Sequence, residues 1–213
     1  GKNMSKETTD TLGNQKKVNY ALRADMSKEE FIKELLDGLT PPPAYFPQNV
    51  LMNIQGYESL DAVMSKAETP LHPKEFEAVA NQTDALVLDV RNENDFVKEH
   101  VPGSIFIGLH GQFAPWVGAL IRDTKQPILL ITPEGKEVET ITRLSRVGFD
   151  NTLGFLLGGI EAWKAAGYET DSIESISPEI FAAQYETAPV IDSRKPGEFT
   201  AEHVVNAKNI PLD

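Results

Sequence analysis

The chain has 213 residues, with 20 Lys+Arg against 32 Asp+Glu, a net charge of −12 and no cysteine. Such an acid surplus disfavours nucleic acid and anionic membrane surfaces, which are bound through excess Lys and Arg. The absence of cysteine excludes thiolate nucleophiles, disulfides, Cys-ligated zinc and iron–sulfur clusters.

Residues 1–25 read as a polar, weakly structured lead without the apolar stretch of a signal peptide, and we expect a cytoplasmic protein. The first residue is Gly, not Met, so a processed or excised piece is expected. Ser27 and Glu30 form an S-x-x-E capping pattern before Phe31, Ile32, Leu35, Leu36 and Leu39. That spacing predicts a short amphipathic helix stopping near Gly38. Pro41, Pro42, Pro43 and Pro47 then predict an extended strap through Ala44, Tyr45 and Phe46. Two helices should follow, one with Tyr57, Leu60, Val63 and Met64 on a face, the next opening at Pro73 and burying Phe76, Val79 and Ala80.

From residue 85 onward, continuous apolar runs replace that periodicity. Ala85–Leu88, ending in Asp89, and Ile128–Ile131, after Pro127, predict strands covered on both faces. Between them lie a helical stretch, Glu93–Lys98, and a short strand, Ser104–Ile107. A helix from Glu137 to Val147 and a strand near Leu153–Leu156 follow. Alternation of this kind predicts a parallel sheet layered by helices, an α/β sandwich. Gly111–Trp116 reads as a loop near the sheet edge, with its two aromatics open to either core cover or partner contact.

The chain also repeats itself. Asp89, Arg91, Phe96, Glu99, His100 and Val101 recur at constant spacing as Asp192, Arg194, Phe199, Glu202, His203 and Val204. Two copies of one domain are implied, the second truncated at Asp213.

These residues resemble the rhodanese family of sulfurtransferase-type domains. Asp89, Arg91, Phe96, His100, Pro102 and Gly103 resemble its D-x-R…F…H-I-P-G opening, and Gly158-Gly159-Ile160-Glu161-Ala162-Trp163 with Gly167 resembles its closing G-G-x-x-x-W…G string. The resemblance implies a three-layer sandwich with a parallel central sheet, a helical N-terminal extension and a truncated second copy. We divide the chain accordingly into 1–66, 67–172 and 173–213. Gly38 to Pro47 is similar to the connector that follows a metallo-β-lactamase-fold domain in two-part proteins. This second likeness implies an upstream hydrolase or persulfide-oxidising domain with one iron or zinc ion, and no cofactor in the present residues.

In the family a loop cysteine, within C-x-x-G-x-R, carries sulfur as a persulfide. Here the loop reads Thr132-Pro133-Glu134-Gly135-Lys136-Glu137, with Thr132 at the cysteine position and Glu137 at the arginine position. A hydroxyl is un-ionised at neutral pH, Pro133 lacks an N–H, and two acids approach a seat meant for an anion. No catalytic residue is therefore expected. Asp89 and Arg91 are read as a pair holding the loop, and His100 and His203 as local packing. Trp163 is read as a core plug, with Gly158 and Gly159 allowing close backbone approach. No metal ligands are expected, since His72 and His110 lack partners at ligand spacing.

The expected function is that of an inactive structural or interaction module of a larger sulfur-metabolism protein. Two alternatives stay open: a tandem sulfurtransferase whose cysteine lies beyond Asp213, or a metal-dependent dioxygenase or hydrolase. Expected partners are the protein's own missing domains and a possible second copy.

Overall fold

A computed structural model describes residues 8–22, 25–37 and 45–212. It divides into two compact units, Gly1–Pro42 and Pro43–Asp213. In the first unit, helix α1 (Leu12–Val18) interrupts the expected polar lead. Its start is fixed locally, because Thr11 accepts from the Asn14 N–H at 3.2 Å and Asp10 accepts from the Asn14 and Gln15 side chains. Helix α2 (Lys28–Leu36) carries the expected capping box. The Glu30 N–H donates to Ser27 Oγ at 3.2 Å, and the Ser27 N–H donates to Glu30 Oε2 at 2.8 Å. Gly38 and Pro41 to Pro43 lie outside the described residues.

Ala44 lies outside them as well, and the far end of the expected strap, Phe46 and Pro47, belongs to the first turn of helix α3 (Phe46–Gln55). A proline there loses no hydrogen bond, since a first-turn N–H has no partner inside its helix. Helix α4 (Leu60–Ala67) follows; Tyr57 precedes it. Val63 and Ala67 of α4 belong to the sheet's buried cluster, so a border at 66/67 runs through this helix.

The sheet has five parallel strands: β1 (Pro70–Leu71), β2 (Leu86–Asp89), β3 (Ile105–Phe106), β4 (Ile128–Ile131) and β5 (Thr152–Leu156). Their order is β1-β5-β4-β2-β3, and every pairing is parallel. Between the strands run α5 (Pro73–Thr83), α6 (Glu93–Lys98), α7 (Phe113–Leu120) and α8 (Glu137–Ser145), with α9 (Gly159–Ala165) after β5. All four residues of β4 are fully buried. Ile128 and Leu130 join one cluster with Phe113, Ile141 and Leu144, while Leu129 and Ile131 join a second with Phe76, Ile160 and Trp163. A strand covered on both faces has no polar face to alternate with, which is why its sequence reads as an unbroken apolar run.

Within the sheet region two further elements escape the sequence reading. Strand β1 has only two residues, too few for a period. It lies against Gly154 of β5 (φ +145°), where a Cβ would approach the Thr69 carbonyl to 2.5 Å. The stretch Gly111–Trp116, expected as a loop, instead runs into helix α7 at Phe113. Gly111 ends the loop at φ +78°, and Pro115 sits in the helix's first turn, where proline is harmless. Phe113 is buried and Trp116 is 37% exposed, so the two aromatics divide between core and surface. Gly118 of α7 lies beneath the Tyr45 ring, and any side chain there would overlap it.

Beyond α9 come α10 (Pro178–Gln184) and a two-stranded parallel sheet, β6 (Ile191–Asp192) with β7 (Lys208–Asn209), joined across α11 (Pro196–Ala201). Ile191 and Ile210 are exposed, while Phe199 is half-buried and stacked on His203 at 3.9 Å. No helix among the described residues is long and apolar enough to cross a membrane.

Candidate functional site

The candidate site lies where β4 gives way to α8. In parallel α/β sheets the carboxyl ends of the strands are where loops converge. Thr132, 8% exposed, directly follows β4. Gly135 adopts φ +75° and the Lys136 N–H donates to the Pro133 carbonyl at 3.0 Å, closing a tight turn that only glycine takes at ease.

The loop's interior is occupied by its own carboxylate. Thr132 Oγ1 donates to Glu137 Oε1 at 3.1 Å, and the Gly135 N–H donates to the same oxygen at 3.3 Å. From the sequence, Glu137 is only an unfavourable charge; in the structure its carboxylate turns into the loop. The clue was a Thr at the strand end and a Glu at the first helical position, where carboxylates are favoured. Lys136 does not neutralise it, because its Nζ pairs with Glu139 at 2.9 Å. That bond, with the further charge of Lys136 and Arg143, holds the Glu139 carboxyl below its usual range. Arg143 itself lies over the Phe113 ring at 5.1 Å and donates to the Leu109 carbonyl. Sequence reading missed this latch, since nothing local links α8 to residues so distant in the chain.

Asp89 ends β2 and is fully buried. Both its oxygens accept from Arg91, at 2.7 to 3.0 Å, and Oδ1 also takes the Arg91 N–H. The same guanidinium donates to the Glu99 carbonyl at 2.7 Å, tying the end of β2 to the end of α6. His100 is 7% exposed, stacks on Phe96 at 4.1 Å and has Nδ1 2.8 Å from the Phe96 carbonyl. A carbonyl only accepts, so Nδ1 carries the proton. Gly158 (φ +75°) and Gly159 (φ +59°) turn the chain into α9. Trp163 plugs the second cluster, edge-on to Phe76, with its N–H on the Glu169 carbonyl at 2.8 Å. Among the described residues, Thr132, Gly135 and Glu137 are the ones whose hydrogen bonds meet inside the loop. Among the described residues, no group of three or more His, Asp or Glu could hold a metal ion.

The bonding around Asp89 recurs later in the chain. Arg194 grips both oxygens of Asp192 and donates to the Glu202 carbonyl, and His203 Nδ1 meets the Phe199 carbonyl at 2.7 Å. The register recurs as well, Ile191 and Asp192 facing Lys208 and Asn209 as Leu88 and Asp89 face Ile105 and Phe106.

The family model for the rhodanese-like domain matches residues 72–166. This stretch is a rhodanese-like domain. It holds the whole parallel sheet except β1, and the candidate loop lies within it. The uncharacterized protein YqhL of Bacillus subtilis (strain 168) is 40% identical over 45 residues, a match spanning 21% of this chain and 36% of that protein. The chain thus matches about a third of the length of this curated relative. A metallo-beta-lactamase from Staphylococcus aureus subsp. aureus COL is similar in structure, with 24% identity and a TM-score of 0.55 over 73% of this chain and 42% of that one. A thiosulfate sulfurtransferase from Pseudomonas aeruginosa aligns with 16% identity and a TM-score of 0.43, over 79% of this chain and 37% of that one.

Proposed function

We propose that the rhodanese-like domain is a non-catalytic module, serving as a structural or interaction part of a larger sulfur-metabolism protein. The observation that carries this reading is the Glu137 carboxylate bonded to Thr132 and Gly135 inside the loop. Sulfur carriage requires a thiolate that attacks sulfane sulfur and an anion seat that stabilises the resulting persulfide. Threonine supplies no thiolate, and the seat holds a negative charge already. Asp89, Arg91, His100, Gly158, Gly159 and Trp163 are assigned structural roles, because each is engaged in holding the sheet ends or the core. Thiosulfate-to-cyanide sulfur transfer by the full chain should equal the uncatalysed background; turnover above it would end this reading.

A second reading is a tandem sulfurtransferase whose active loop belongs to the later copy. It is favoured by the hydrogen-bond set and register that recur around Asp192, Arg194 and His203. The likeness to the Staphylococcus aureus protein supports a parent that joins such a module to a metallo-β-lactamase-type domain. An iron or zinc ion would then belong to that other domain. Extending the chain on both sides and assaying sulfur transfer and bound metal would separate these parents.

A further inference from the structure

One helix length from the loop, roughly 13 Å for the nine residues of α8, a groove of about 370 Å³ opens between α3, α4 and α8. Asn49 and Asn53 of α3, Val63 of α4, and Thr142 and Ser145 of α8 with Arg146 line it. On each side these positions are spaced to share one helix face. At the base, Gly148 (φ +85°) lets α3 approach closely. A Cβ there would lie 2.9 Å from Met52 Sδ and 3.0 Å from Asn49 Oδ1.

Grooves between packed helices normally close with interlocking apolar side chains. This one sets amides, hydroxyls and a guanidinium beside the apolar side chains of Met52, Leu60 and Val63. Among the described residues, the side chains of Asn49, Asn53, Thr142 and Arg146 make no hydrogen bond or ion pair. Asp150 faces the same space. Burial pushes its carboxyl up, the Ser145 hydroxyl opposes that, and Glu58 adds to it. Glu58 is itself held by Lys66 at 2.6 Å, which leaves Asp150 as the open carboxyl.

Arg146 offers only donors and a positive charge, whereas Asp150 offers a carboxyl that gains by meeting a cation. The volume falls in the range of small-molecule sites, about 300–1,000 Å³. From this geometry we infer that the groove binds a small zwitterion, an amino acid or dipeptide, with its carboxylate on Arg146 and its ammonium on Asp150. The inference is independent of the loop and of whether the module carries sulfur.

Titrating the isotope-labelled full chain with L-glutamine, and separately with glycylglycine, tests it. Backbone amide resonances of Asn53, Arg146 and Asp150 should move with at least one probe. Arg146→Ala and Asp150→Asn should each weaken that binding at least about tenfold. Asp150→Asn also removes a partly buried charge, so its thermal midpoint at neutral pH should not fall, which separates lost binding from lost folding. Acetate or butylamine binding as tightly as the zwitterions would overturn the assignment. So would unmoved resonances with both probes at tens of millimolar, or unweakened binding in Arg146→Ala.

Discussion

Thr132 and Glu137 form a donor–acceptor pair inside the loop that follows β4. A cysteine placed at position 132 would meet that carboxylate, which disfavours a second negative charge. Thr132→Cys should therefore give a thiol with a pKa above the ordinary value of about 8.5, and sulfur transfer at background. Adding Glu137→Gln should lower that pKa by about one unit, worth about 1.4 kcal/mol. The pH dependence of iodoacetamide alkylation measures both values. A single mutant as acidic as the double would show that Glu137 exerts no field on the loop.

Asp89 and Arg91 act at the scale of the element, fastening β2 to the end of α6. The carboxylate is fully buried and the guanidinium side chain is 14% exposed. Removing one partner strands the other charge, so Arg91→Ala should cost about 3–5 kcal/mol in urea unfolding. Arg194→Ala breaks the same pattern at a surface position, where the guanidinium is 48% exposed, and should cost far less. Equal losses would refute burial as the source of the difference. A second element-level test is Gly154→Ala, which adds a Cβ against the Thr69 carbonyl at a φ that side chains avoid. It should destabilise by roughly 1–3 kcal/mol and loosen β1 from β5, seen as faster amide exchange at Phe155 and Leu157.

Among the described residues, the five-stranded sheet is covered on both faces while the β6–β7 pair is not. Ile191 at 62% exposure and Val205 at 66% leave an apolar surface that a second copy would cover. Light scattering should give a dimer, and a monomer at high concentration would count against that covering. Acid should act first on the same region. The Arg194 side chain, then the Arg194 backbone N–H, hold the Asp192 carboxyl down at about 2. A carboxyl depressed on folding stabilises above its unfolded value, near 3.9, and that contribution is lost as pH falls through the folded value. Amide exchange at Lys208 and Ile210, whose N–H groups donate to the Val190 and Asp192 carbonyls, should thus accelerate between about pH 4 and pH 2. An unchanged opening equilibrium there would sink the assignment.

The sequence by itself determined whatever depends on neighbours along the chain. Ser27 and Glu30 specified their capping box, the apolar runs at Leu86–Asp89 and Ile128–Ile131 specified buried strands, and the repeated Asp, Arg and His positions announced a repeated bonding pattern. It also determined that Thr132 carries no sulfur atom. Tertiary structure decided the rest. Pro47 and Pro115 became first-turn prolines because packing set where α3 and α7 begin; β1 exists because Gly154 admits a neighbouring backbone; Glu137 turned into the loop rather than towards water. Each of these outcomes depends on atoms brought together by the fold, and spacing along a chain carries no record of which way a side chain will then point.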